Sequence, residues 1–173
     1  MMTLVVMVLA LLGATVLQTA LPGFGWPGQP KAPFLLSVVL YYALHRKTGV
    51  MLTAALLAGF LQDSTSRIPL GTSSACFAAA GWMAGRFRGL VATEALLTPA
   101  LFGAAAAAGC ALASYGLLAW RALAFWPAGR LAAKVLLSGA LGVGSTVVAF
   151  GIVGLLDRVV GNVETRAGQY DAG

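Results

Sequence analysis

Asp63 and Arg67 stand four residues apart in the stretch Gly-Phe-Leu-Gln-Asp-Ser-Thr-Ser-Arg-Ile-Pro-Leu-Gly, residues 59–71. Gln62, Ser64, Thr65 and Ser66 complete a polar knot, and apolar runs bound it on both sides. A carboxylate one helical turn from a guanidinium can form an ion pair, worth at most ~1 kcal/mol at an exposed interface. If partly buried the pair matters more, because losing one partner leaves the other charge unsatisfied. It can also serve a ligand, since ionisable residues at membrane depth mark binding or transport sites. A third use is local. Asp and Ser hydrogen-bond nearby backbone, so Gln62 and Asp63 are expected to end the preceding helix, and Asp63 to cap N–H groups of the following turn. Pro69 fixes φ and Gly71 accepts unusual φ, so Pro69-Leu70-Gly71 reads as a rigid re-entry into the next helix. Thr72, Ser73 and Ser74 are candidate caps for that helix. On these residues alone, a well-made turn and a functional site both stand.

Other chemistry is sparse. The five acidic residues include Asp157, Glu164 and Asp171, all at the C-terminal end. Acid–base or phosphoryl chemistry needs several convergent polar groups, so a membrane phosphatase or acyltransferase is not expected. His45, the single histidine, lies beside Arg46 and Lys47 and reads as an interfacial side chain, not a metal ligand. Cys76 and Cys110 lie in Ala-rich apolar runs and read as buried thiols. No cofactor and no metal are expected.

The elements that position the knot follow from composition. The chain has 173 residues, 60% of them hydrophobic and 9% charged. Soluble domains carry ~25% charged residues. A mean hydropathy of +0.89 excludes disorder and points to a polytopic all-α membrane protein. The formal charge of +6 comes from short basic clusters between apolar runs, without aromatic–basic interleaving. These are topology signals, and no nucleic-acid partner is expected.

Six spans are expected in one membrane domain over 1–173, at about 3–21, 33–46, 47–62, 70–85, 95–120 and 131–156. A short polar tail follows at 157–173. The chain has no Lys or Arg in its first thirty residues, so the first run reads as a retained span and not a signal peptide. Residues 33–46 and 47–62 are short. Joining them would bury Arg46 and Lys47 at roughly 2.5–3.5 kcal/mol each, so a tight hairpin is expected, with a re-entrant pair as the alternative. Tyr41 and Tyr42 are expected to mark the water boundary there, and Trp120, Phe125 and Trp126 to form an aromatic belt. The Ala-rich 95–120 run is expected in the bundle interior. Small-residue spacings at Gly81-x-x-x-Gly85, Ser138-x-x-x-Gly142 and Ala140-x-x-x-Gly144 are candidate helix-packing sites.

Arg46, Lys47, Arg86, Arg88, Arg158 and Arg166 fall on one side of this topology. Lys31, Arg67, Arg121 and Arg130 fall on the other, with Lys134 just inside the last helix. The close pairs at 46–47 and 86–88 favour the first side as cytoplasmic, with both termini there and the knot facing outward.

The stretch Ala-Gly-Phe-Leu-Gln-Asp-Ser-Thr-Ser-Arg-Ile-Pro-Leu-Gly opens residues 58–88, which resemble a segment shared by the bacterial rod shape-determining MreD proteins. The matching positions are Gly59, Asp63, Pro69, Leu70 and Gly71. The run Lys31–Met51 resembles that family's Pro-led helix, short basic turn and following helix. The likeness covers roughly 30–90 at motif level and the rest by hydropathy. This chain departs from the family in Phe60-Leu61-Gln62 before Asp63 and in Ser64 after it. The resemblance implies a non-enzymatic partner of MreC in the bacterial inner membrane, and through it of MreB and the elongation peptidoglycan synthases. It also implies a fold similar to the substrate-binding subunits of energy-coupling-factor transporters.

Two functions follow. A scaffold that binds a partner's transmembrane helix needs small-residue faces and few charges. A substrate-binding transporter subunit needs a polar and aromatic pocket, for which Asp63, Arg67, Trp82 and Trp120 are candidates. Such a subunit would dock through a small-residue face such as Ala10-x-x-x-Ala14. Membrane lipid is a contact under either reading, and a homodimer is left open.

Overall fold

The structure is a computed structural model that describes residues 2–20, 32–65, 70–87, 97–120 and 127–159. The described residues form six helices: α1 (Met2–Ala20), α2 (Phe34–His45), α3 (Thr48–Thr65), α4 (Thr72–Arg86), α5 (Leu97–Trp120) and α6 (Ala128–Val159). At 1.5 Å per residue, α5 and α6 are ~36 and ~48 Å long, and α2 is only ~18 Å. Within α5 and α6, Thr98–Gly116 and Gly129–Asp157 are long and apolar enough to cross a membrane.

The short helix sits at the centre. Its sequence, Phe-Leu-Leu-Ser-Val-Val-Leu-Tyr-Tyr-Ala-Leu-His, is apolar on every face, and a helix of that kind belongs in an interior. Every residue from Phe34 to Leu44 is buried. The other five helices surround it in the order α1, α3, α4, α5, α6, with α6 returning to α1. A helix enclosed by protein need not match the ~30 Å hydrocarbon thickness itself.

Pairings across the bundle fix directions. Thr53 meets Met7 and Gln18 meets Gln62, so α1 and α3 run parallel. Ser37 meets Ser145 while Tyr41 meets Asp157, so α2 and α6 also run parallel. Asp63 meets Ser73 while Gly81 lies against Met51, making α3 and α4 an antiparallel hairpin. The α3–α4 turn therefore lies at one end of the bundle, and Arg46, Lys47, Arg86 and Asp157 at the other.

Small residues set the closest approaches. In lipid the hydrophobic effect adds little between helices, so van der Waals packing decides. A Cβ on Gly142 would lie 2.7 Å from the Gly103 carbonyl and 2.8 Å from the Ala107 methyl, and one on Gly103 would overlap Thr146. Gly81 faces Met51 and Val39, while Gly85 and Ser138 are partly buried. Gly144 is exposed and faces open space.

Several expectations change. The Ala-rich α5 is peripheral: only 22% of its span-length window is buried. Alanine allows one stripe to press against α6, but it does not bury the other faces. Tyr41 and Tyr42 are buried in the bundle and do not mark its water boundary, because α2 is central. The helix containing Gln62 and Asp63 continues through both to Thr65, where Ser64 and Thr65 hydroxyls bond back to helix carbonyls. The tail does not begin at Asp157, which is a buried residue of α6. Phe125 and Trp126 of the expected belt lie outside the described residues, and Trp120 is exposed.

Gly142→Leu should force α5 and α6 apart and cost about 1–3 kcal/mol. Gly144→Leu should stay within about 0.5 kcal/mol. Thermal unfolding in mild detergent reads both. An unchanged midpoint for Gly142→Leu would contradict the assigned interface.

Candidate functional site

The α3–α4 hairpin is built from α3's inner face. Gly59 and Asp63 are four residues apart, so both point at α4. A side chain on Gly59 would overlap the Ser74 backbone, so only glycine lets the first turn of α4 come this close. The Ser74 hydroxyl donates to the Leu56 carbonyl at 3.4 Å and closes the same seam.

Asp63 is buried, with 3% of its surface exposed. Its Oδ2 accepts the Gly71 N–H at 2.7 Å, and its carboxylate accepts the Ser73 N–H at 3.2 Å. These donors belong to the N-cap and second residue of α4, groups that a helix start leaves without internal partners. A carboxylate is also favoured by the helix dipole there. Gly71 takes φ +96°, the left-handed region where glycine carries no steric penalty. No hydroxyl of α4 caps its own helix. The cap comes from α3, which overturns the expectation for Thr72, Ser73 and Ser74. Arg67 and Pro69 lie outside the described residues, as does the ion pair expected of Arg67.

Gln18 and Gln62 add a second tie at this end, their amides meeting at 2.7 Å. The pocket expected of Asp63, Arg67, Trp82 and Trp120 does not form among the described members. Asp63 is used by α4, while Trp82 and Trp120 are exposed. Trp82 instead lies under the Arg86 guanidinium, 4.9 Å from the ring centre.

The opposite end holds a cluster that sequence reasoning missed. Asp157 accepts the Tyr41 hydroxyl at 3.0 Å and pairs with Arg46 at 3.4 Å. Tyr41 stacks on His45 and meets Phe150 edge-on. This ties α2 to α6, below a buried hydroxyl contact of Ser37 with Ser145 and Thr146. The available signal was a carboxylate ending a long apolar run, opposite a basic turn. Cys76 and Cys110 are free and half-buried. No group of three or more His, Cys, Asp or Glu able to hold a metal occurs among the described residues.

The site therefore arranges backbone and ties helices. Asp63→Ala strips the buried Ser73 N–H and the part-buried Gly71 N–H of their acceptor and should cost about 1–3 kcal/mol, with Asp63→Asn losing less because an amide oxygen still accepts. Asp157→Ala should cost about 3–5 kcal/mol by breaking a buried pair. Thermal unfolding in one detergent ranks the three variants, and equal midpoints for Asp63→Ala and the parent protein would contradict the cap.

Comparison with known proteins gives a family. The model of the rod shape-determining protein MreD matches residues 1–126. No curated protein matches, and no solved structure matches. The matched region contains α1 to α5 and the whole Gly59–Gly71 hairpin. The chain belongs to the MreD family, the rod shape-determining proteins of the bacterial membrane.

Proposed function

We propose that the protein is a non-enzymatic membrane scaffold that binds MreC and helps organise lateral-wall peptidoglycan synthesis. MreB and the elongation synthases are indirect partners. The observation that carries this reading is the use of the family's hairpin residues inside the chain. Asp63 caps α4, Gly59 admits its backbone and Gly71 supplies the turn. A residue set spent on holding one shape suits a surface offered to a partner better than a site that turns over substrate.

In this reading residues 1–173 are one membrane domain in the inner membrane. Arg46, Lys47 and Arg86 share one end of the bundle, which supports a cytoplasmic assignment for that end and an outward-facing hairpin. Both termini are then cytoplasmic.

The transporter-subunit reading, and with it the likeness to energy-coupling-factor subunits, has less support. Ala10 and Ala14 are buried against the core, so that small-residue face is not free to dock a coupling subunit. Trp82 and Trp120 are exposed and do not line an enclosed pocket with Asp63, which is buried.

The tagged protein, recovered from native membranes in mild detergent, should bring down MreC and the wall-elongation synthases by mass spectrometry. A coupling subunit with ATPases in their place would contradict the scaffold. In cells, Asp63→Asn combined with Arg67→Gln should impair rod shape at normal protein level. Normal rods at normal level would sink the claim that the hairpin serves shape.

A further inference from the structure

Cys76 and Cys110 are the chain's two cysteines, and neither the hairpin cap nor the polar ties between helices use them. They close one end of a shared seam. On α4, Cys76, Ala80 and Ala84 recur every four residues and so lie on one face. On α5, Phe102, Ala106 and Cys110 do the same. Both faces pack against the hydrophobic core. Phe87, the C-cap of α4, meets Phe102 with ring centres 5.7 Å apart. At the other end the Cys76 and Cys110 side chains interact directly with each other. The two faces therefore run antiparallel. Cys76 lies ~17 Å from Phe87 along α4, and Cys110 ~12 Å from Phe102 along α5, so the two contacts fit one register.

The pairing of thiols across two helices limits the chemistry. No third His, Cys, Asp or Glu joins them among the described residues, so the set is too small for a closed zinc site. Two adjacent thiols do suffice for a disulfide. Only alanines separate the cysteines from the aromatic end of the seam, so no bulky side chain holds the helices apart. Both cysteines are half-buried and keep part of their surface on the outside of the bundle. A small uncharged oxidant can reach such a position within a membrane.

We propose that Cys76 and Cys110 form a peroxide-sensitive dithiol whose oxidation joins α4 to α5 by a disulfide. One sulfur attacks hydrogen peroxide and the O–O bond breaks. The sulfur keeps one hydroxyl as a sulfenic acid, and its former S–H proton leaves with the other oxygen as water. The second thiol then displaces that hydroxyl, the S–S bond forms, and its own proton completes a second water. Two thiols and one peroxide thus give one disulfide and two waters. The link would tie α5 to the helix that the Asp63 cap holds in place.

The test treats the full chain in nanodiscs with hydrogen peroxide and reads intact mass without reductant. The parent protein should lose two hydrogens and gain no oxygen. Both cysteines should become closed to N-ethylmaleimide and reopen on reduction, and digestion should yield one peptide pair joined through Cys76 and Cys110. Oxidation should raise the thermal midpoint of the parent protein and leave that of Cys110→Ser unchanged. Cys110→Ser should instead stop at a sulfenic acid on Cys76 that dimedone traps. The parent readout needs no variant, so the proposal does not rest on how a variant folds. Full alkylation of both cysteines after peroxide would overturn it. Oxygen added to separate thiols, or a disulfide between two copies of the chain, would overturn it as well.

Discussion

The carboxylate of Asp63 receives the first N–H groups of a helix to which it does not belong. That contact answers the severest constraint on a chain in lipid, which is that every backbone polar group must find a partner. Gly71 is exposed at the start of α4, but the Ser73 N–H is buried and cannot rely on water. Here α3 runs one turn past its apolar stretch and carries its own carboxylate to the start of α4. Gly59 makes the distance short enough, and Gly71 bends the chain so that its N–H faces the acceptor. Three residues of the family's motif thus form one mechanical unit.

The rest of the bundle follows from where the hairpin puts α2. The short helix is sealed by five neighbours, and the two ends of the bundle are fastened by different chemistry. At the hairpin end Gln18 joins Gln62, linking α1 to α3. At the other end Asp157 gathers Tyr41 and Arg46, linking α6 to α2. Between them the contacts are almost entirely small or apolar, apart from the Ser37, Ser145 and Thr146 hydroxyls. A membrane bundle with apolar flanks gains no net hydrophobic drive from helix association. Its register therefore depends on these few polar ties and on glycines that fix how near the backbones come.

Much of this was legible in the sequence, for physical reasons. Apolar runs broken by basic or Pro-Gly turns delimit helices, because charge and prolyl geometry are both costly within a span. The αL turn at Gly71 was foreseeable because glycine is the residue that enters that region without penalty. What could not be read was which helix lies inside. The Ala-rich α5 and the aromatic-rich α2 are both apolar, and composition does not distinguish a helix facing lipid from one facing protein. Tyr41 and Tyr42 looked interfacial for the same reason. Asp157 was assigned to a tail because its partners, Tyr41 and Arg46, lie over a hundred residues away. Gly142 and Gly144 illustrate the limit well: both match a small-residue spacing, yet one meets Gly103 and Ala107 while the other meets open space.

The account stands on Asp63 acting within the chain as the cap of α4. Hydrogen–deuterium exchange of residues 70–80 in nanodiscs, read by mass spectrometry, tests this most directly. With Asp63→Ala, the amides of Gly71 and Ser73 should exchange about tenfold faster or more, as the loss of ~1.4 kcal/mol requires, while α2 stays protected. Unchanged protection of those two amides would mean that the carboxylate does not hold the helix start, and the hairpin would need another explanation.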